Sequence, residues 1–302
     1  MTTPNSKPDV YTRVTEKIVA LLEAGTRPWH QPWKAKHADG PVCRPLRSNG
    51  QPYRGVNVLM LWIDAETKGF NSPWWMTFNQ AKEMNAFVKK GEHGSTVVYA
   101  SSFTKTEEDE NGQELERDIP FLKSYTVFNA EQIEGLPEKF TKVEPNVLNI
   151  QERLENAEAF ARGTGATIRH GGSQAYYRPS EDLVQMPNFE TFEDRESYYS
   201  TLLHELTHWT KAESRLNRNF DSKRFGDTGY AREELIAEIG AAFLCSDLGI
   251  TAEPREDHAS YLACWLKVLK EDKKAIFNAA AQAEKAAAYL HELQKAKTEQ
   301  LA

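Results

Sequence analysis

The chain has 302 residues, 40% hydrophobic and 27% charged, the balance of a globular protein that buries a real core in one large domain or two ordinary ones. Three widely spaced cysteines (Cys43, Cys245, Cys264) without C-x-x-C spacing argue against a disulfide framework and against a cysteine-built zinc site. The net charge of −7 is unevenly spread: residues 1–106 carry 14 Lys and Arg against 8 Asp and Glu (+6), and the remainder carries 23 against 36 (−13). Such asymmetry points to two domains, the basic one a candidate for a polyanion partner, with ordinary surface charge as the alternative.

In chain order, residues 9–24 read as an amphipathic helix, with Val10, Val14, Ile18, Leu21 and Leu22 on one stripe and Gly25 as its stop. The Pro-, Trp- and Arg-rich stretch that follows has no period and reads as ordered loop, with a turn at Asn49-Gly50. A helix is predicted from Val56 to Gly69, and another over 77–91, where Thr77 and Gln80 have the spacing of a capping box. "STVVYASSF" and "FLKSYTVFN" read as strands separated by an acidic hairpin loop around Asn111-Gly112. Residues 131–150 hold two prolines and no period, which places a linker there between domains at 1–130 and 151–302. Beyond it the pattern predicts a helix at 151–162, short strands in "ATIRHGG" and "AYYRPSEDLVQMP", helices over "DRESYYSTLLHELTHWTKA" and "GYAREELIAEIGAAFLCSDLG", and unbroken helix from 255 to 298. No apolar run approaches a membrane span, and the first ten residues lack the apolar core of a secretory signal, so the expectation is a cytoplasmic protein with no membrane partner.

The sharpest chemical signal is His204-Glu205-Leu206-Thr207-His208, an H-E-x-x-H pattern. On a helix, positions i and i+4 stand one above the other, so both imidazoles reach one ion, and the intervening Glu is free to act as base. Zinc suits this donor set, with another divalent metal as the alternative. The apolar flanks Tyr198, Tyr199, Leu202, Leu203 and Leu206 imply a buried helix, where an unpaired ionisable trio would be costly. A peptidase site needs a third protein ligand, and the helix around Glu233, Glu234 and Glu238 offers it. Glu234 is assigned as that ligand, with Glu233 its main competitor. Glu238, one turn on, is assigned as the acceptor that holds a histidine by its other ring N–H. Glu205 is assigned as the proton-transferring base, and Tyr230, His258 and Tyr261 are unranked candidates to assist at the oxyanion. The strand around Ala175-Tyr176-Tyr177 is a candidate edge for an extended peptide.

Five of the seven tryptophans (Trp29, Trp33, Trp62, Trp74, Trp75) lie in the first 75 residues among many Lys and Arg. Aromatic rings stack on unpaired bases while cations neutralise phosphates, so the combination fits single-strand binding. Trp62 and Trp75 sit in apolar stretches and read as core. The DNA-contact candidates are Arg13, Trp29, Trp33, Arg44, Arg47, Arg54, Trp74, Lys82, Lys89 and Lys90.

Nearly the whole chain resembles the ArdC-type antirestriction proteins of conjugative plasmids. The resemblance rests on "VYTRVTEKIVALLEAGTRPWHQPW", "PLRSNGQPYRGVNVLMLW", "SPWWMTFNQA" and "VKKGEHGSTVVY" in the first half and on "HELTHW" and "YAREELIAEIGAAFL" in the second. It implies an α+β fold of two domains: a mixed α/β single-stranded DNA-binding domain, shared with some plasmid primases, and a mostly helical zincin-like domain with a small sheet. It also implies protection of incoming plasmid DNA from host restriction during conjugation. Single-stranded DNA, with duplex DNA second, and a host restriction-modification subunit or other peptide substrate are the expected partners. The alternative is a metalloprotease cleaving a host protein, with the N-terminal domain serving only for targeting or protein interaction.

Overall fold

The computed structural model describes residues 9–29, 43–108, 114–141, 150–220, 228–250 and 259–300, with only the backbone described at 102–108, 114–120, 259–260 and 296–300. Trp33, His258 and the Asn111-Gly112 turn lie outside the described residues. Helix α1 spans Val10–Glu23, N-capped by Asp9, whose side chain accepts from the Thr12 N–H, and it buries Val14, Ile18 and Leu22. Helix α2 runs Val56–Lys68 and ends where Gly69 takes φ +73°, a left-handed cap that glycine adopts without strain.

Strands β1 (Leu46–Arg47), β2 (Trp74–Met76), β4 (Ser95–Glu108) and β5 (Glu114–Asn129) form a sheet of order β1-β2-β5-β4. Its β4–β5 ribbon is longer than the alternating pattern suggested, because pairing continues into the acidic stretch as far as Glu108 and Glu114. Helix α3 (Phe78–Glu83) opens with the expected Thr77–Gln80 capping box but stops eight residues before Gly91. Asn85 takes φ +57°, and the freed chain forms β3 (Phe87–Val88), which pairs with β6 (Ile133–Glu134). Asn tolerates that conformation because its short side chain hydrogen-bonds locally. Residues 131–141 are therefore not a plain linker: they hold β6 and helix α4 (Glu138–Thr141), whose Phe140 is buried against Trp74 with ring centroids 5.1 Å apart.

The second half contains helix α5 (Ile150–Gly163), strands β7 (Thr167–His170), β8 (Tyr176–Arg178) and β9 (Leu183–Met186) in the order β7-β9-β8, and helices α6 (Arg195–Trp209) and α7 (Thr228–Leu248). The expected single C-terminal helix is two, α8 (Ala259–Glu271) and α9 (Ala275–Gln300). Asp272 makes the break, since its side chain accepts from the Lys274 N–H and its carbonyl from the Ala275 N–H. The chain is thus mixed α and β, with small sheets and predominantly helical content in its second half.

One hydrophobic cluster runs through both halves, from Val14, Ile18, Trp29 and α2 to Phe243, Trp265 and Leu290. Polar pins reinforce the contact. The Thr15 hydroxyl donates to the Lys273 carbonyl at 2.8 Å, and Arg44 reaches Glu284 at 2.7 Å and Asp247 at 2.8 Å. A separate small core of Met76, Ala81, Ala86, Ala130, Ile133 and Phe140 lies under the unit built from α3, β3 and β6. Among the described residues no helix is long and apolar enough to cross a membrane.

Candidate metal centre

Helix α6 begins at Asp194, whose carboxylate accepts from the Ser197 N–H at 2.7 Å, and every residue from Tyr198 to Trp209 is buried. Its mate α7 is buried almost throughout its centre. The two helices approach closely at Gly240, where an added Cβ would lie 2.6 Å from Thr207 Cγ2 and 2.9 Å from Thr207 Oγ1. Ala237, Ala241 and Ala242 keep the rest of that face small. Only this narrow separation lets the short reach of a glutamate meet the imidazoles of the other helix.

His204, His208 and Glu234 each bring a ligand-type atom to within 4.8 Å of the others, all three residues being buried. The two Nε2 atoms lie 3.2 Å apart, His208 Nε2 is 3.4 Å from Glu234 Oε1, and His204 Nε2 is 3.5 Å from Glu234 Oε2. Both outward ring nitrogens meet carboxylates. His204 Nδ1 is 3.2 Å from Glu238 Oε1, and His208 Nδ1 is 3.1 Å from Glu233 Oε1. For His208 the hydrogen bond from Nδ1 to Glu233 fixes the tautomer and leaves the Nε2 lone pair directed at the shared point, while at His204 the Glu238 carboxylate lies within ion-pair distance of Nδ1. Glu233, the sequence competitor for the ligand position, instead faces the outer nitrogen of His208. Glu205 is buried on α6 beside His204.

The carboxylates are themselves held. Arg218 donates through Nε to Glu233 Oε2 at 3.0 Å and through Nη2 to Glu233 Oε1 at 2.9 Å, and it also reaches Thr210 Oγ1 and the Thr207 carbonyl at 2.9 Å each. Trp29 donates through Nε1 to Glu238 Oε2 at 3.3 Å. Neither residue is flagged by the H-E-x-x-H motif. Arg218 lies in an irregular segment ten residues past it, and Trp29 lies in the other half of the chain.

Electrostatics follow this geometry. Burial alone would depress the His208 pKa, but the carboxylates of Glu234 and Glu233 outweigh it and hold the value above that of an ordinary histidine. Burial would raise Glu234, yet His208 and His204 hold it well below the usual carboxylate range. Glu233 is also lowered, by His208 and Arg218 against the cost of its burial. Tyr230, one turn before Glu234, is pushed up by burial and by that carboxylate, and its hydroxyl lies 3.1 Å from the Tyr261 hydroxyl.

The DNA-contact candidates separate into two groups. Trp29 is 0% exposed and packs edge-on against Trp265 with centroids 5.6 Å apart, which corrects the expectation that it stacks on bases. Arg44 is also buried, paired with Asp247 and Glu284 and set 4.5 Å over the Phe243 ring, so it is a structural pin between the halves. A tryptophan and an arginine in a Pro-rich basic stretch look like a nucleic-acid surface, but the α7–α9 carboxylates that pair with them are far away in sequence. Arg13, Arg47, Arg54, Lys82, Lys89 and Lys90 are exposed, Trp74 is half-buried, and Trp62 and Trp75 are core. Phe78, Phe87, Tyr99 and Tyr125, none of them singled out by the sequence, are exposed aromatic rings in the same half.

Comparison with known proteins agrees with this architecture. A family described as the N-terminal domain of anti-restriction factor ArdC matches residues 8–128, and one described as a zincin-like metallopeptidase matches residues 155–282. The chain is 42% identical over 295 residues to an uncharacterized protein, y4eC, of Sinorhizobium fredii, covering 96% of this chain and 94% of that protein. It is 40% identical over 297 residues to a DNA primase, TraC, of Escherichia coli, covering 92% of this chain but 27% of the primase. Crystal structures of the antirestriction protein ArdC from the R388 plasmid, metal-free and Mn(II)-bound, match with TM-scores of 0.79 and 0.77 at 45% and 44% identity. They cover 96% and 95% of this chain and 99% and 98% of theirs. Fold and comparison together define a two-domain protein in which an ArdC-type N-terminal domain is joined to a zincin-like metallopeptidase domain, a class that implies a divalent cation. The chain belongs to the ArdC antirestriction family.

Proposed function

We propose that the protein binds single-stranded DNA through its N-terminal half and shields incoming plasmid DNA from host restriction during conjugation, and that its second half is a zinc-dependent peptidase site. In this reading His204, His208 and Glu234 hold the metal and Glu205 is the catalytic base. The observation that carries the site is the convergence of two imidazole nitrogens and one carboxylate within 4.8 Å, with a carboxylate behind each ring. That donor set fits a divalent ion: neutral imidazole and carboxylate suit zinc, and manganese accepts the same oxygen-bearing set less tightly.

A cation held there supplies Lewis acidity toward water and a substrate carbonyl. Glu233 and Glu238 hold the imidazole rings in orientation. Glu205 takes the proton of the attacking water and passes it to the leaving amine. Strand β8 lies at an edge of its sheet, packed beside α6, and supplies backbone groups for an extended peptide. On the DNA side, exposed Lys82, Lys89 and Lys90 sit with Phe78 and Phe87 on the α3–β3 unit, where cation and ring surfaces for phosphate and base coexist.

The test is transfer of an unmodified plasmid into restricting and non-restricting recipients, with wild-type protein and with Glu205→Ala. If protection rests on DNA binding, Glu205→Ala protects as well as wild type, since it removes a base and leaves the proposed ligands. Loss of protection with the folded variant moves the function to the alternative, cleavage of a host protein.

A further inference from the structure

The support of the candidate metal centre is asymmetric. His208 is held by a local arm, Glu233 and then Arg218, with Arg218 and Glu233 15 positions apart. The His204 arm crosses the molecule: Glu238 lies behind the ring and Trp29, 209 positions earlier, donates to the carboxylate oxygen that faces away from His204. Trp29 is fully buried, its ring is fixed against Trp265, and the helix before it, α1, is docked on α8. Its N–H thus has little freedom to leave Glu238, and Glu238 has one oxygen committed on each side.

We infer that Trp29 is a positioning residue of the metal centre: by fixing Glu238 it orients His204, so the N-terminal domain sets the metal affinity of the C-terminal site. The chemistry is that of a carboxylate held 3.2 Å from the outer ring nitrogen, which restricts the orientation of the ring. By reciprocity, metal binding tightens the seat of Trp29. The inference rests on the metal site proposed above.

Titration of the full-length apoprotein with Zn2+, and separately with Mn2+, against a chromogenic chelator tests it. Trp29→Phe removes the donor together with part of the buried ring, and the Trp75→Phe control removes the same ring volume away from the site. The Kd of Trp29→Phe for either metal rises by about 10-fold, the low end for loss of an outer-shell partner. Trp75→Phe, a buried tryptophan packed on Phe70 in the N-terminal sheet, lowers the unfolding midpoint without changing the Kd. Combining Trp29→Phe with Glu238→Gln gives no further loss beyond Glu238→Gln alone, because both act through one route to His204. An unchanged Kd in folded Trp29→Phe, or losses that simply multiply, overturns the inference and leaves the metal site standing. If Trp29→Phe does not fold, the indole N–H resonance of Trp29 in 15N-labelled native protein is followed instead. It shifts on adding Zn2+, and a stationary resonance overturns the inference. Wild-type protein that takes up neither cation removes the metal site and the inference together.

Discussion

Between α6 and α7 the polar groups are hidden: His204, His208, Glu233, Glu234, Glu238 and Arg218 are all buried, and their distances mesh into one network. In the small unit of α3, β3 and β6 the opposite holds, with Phe78 52% and Phe87 66% exposed above a core of only a few side chains. Burying charges is costly unless they are paired, and exposing rings leaves apolar surface in water, so neither arrangement is one that stability alone favours. The first suits chemistry that needs held charges, and the second suits contact with another molecule.

The largest expected effect that would break this comparison is at Arg218. Arg218→Met leaves Glu233 buried without its guanidinium partner, and loss of one member of a buried pair costs about 3–5 kcal/mol. Urea unfolding of the apoprotein measures it, and a loss below 1 kcal/mol would mean that the network is not tightly packed. Gly240→Ala comes next. Its Cβ meets Thr207 inside contact distance, so about 1–3 kcal/mol of overpacking is expected, together with weaker uptake of Zn2+ as the helices part. On the other side of the comparison, Phe87→Ala should cost about 1–3 kcal/mol in affinity for a single-stranded oligonucleotide, the scale of one lost base stack, without changing metal uptake. Unchanged oligonucleotide binding there would sever the exposed rings from DNA contact.

The smallest effect tests a pair that belongs to neither region, the exposed Asp182 and the largely buried Arg215 side chain. Arg215 donates to Asp182, as does the Tyr177 hydroxyl, and the guanidinium first of all lowers the Asp182 pKa. A depressed carboxylate stabilises the fold above its unfolded pKa of about 3.9, and that contribution is lost as pH falls through the lower folded value. Asp182→Asn also keeps a residue that tolerates the left-handed φ of +48° at this position. Because Asp182 is more than half exposed, the expected loss at neutral pH is under about 1 kcal/mol, with no difference from wild type at acid pH, read from unfolding curves at the two pH values.

Much of this was legible in the residues alone. Helix α1 follows from the apolar stripe of Val14, Ile18 and Leu22 and helix α2 from its stop at Gly69, because those signals are local. So does the i, i+4 spacing of His204 and His208, which needs no partner to be read. Local signals failed where a distant strand competed: the Phe87–Val88 segment left its helix pattern to pair with Ile133–Glu134, and residues 131–141 of the supposed linker became part of that unit. They failed again at Asp272, where a side-chain cap divides a composition that is helical throughout.

The sequence by itself determined that two histidines and a glutamate stand on one buried helix, that a second helix carries acidic residues at Glu233, Glu234 and Glu238, and that the basic residues gather in the first half. Only the tertiary structure decided which acid meets which nitrogen, because that depends on the rotation and spacing of α7 against α6, set by Gly240 and its small neighbours. It also decided that Trp29 and Arg44 face inward. Their burial depends on carboxylates more than 200 positions away, and no pattern in their own surroundings encodes that meeting.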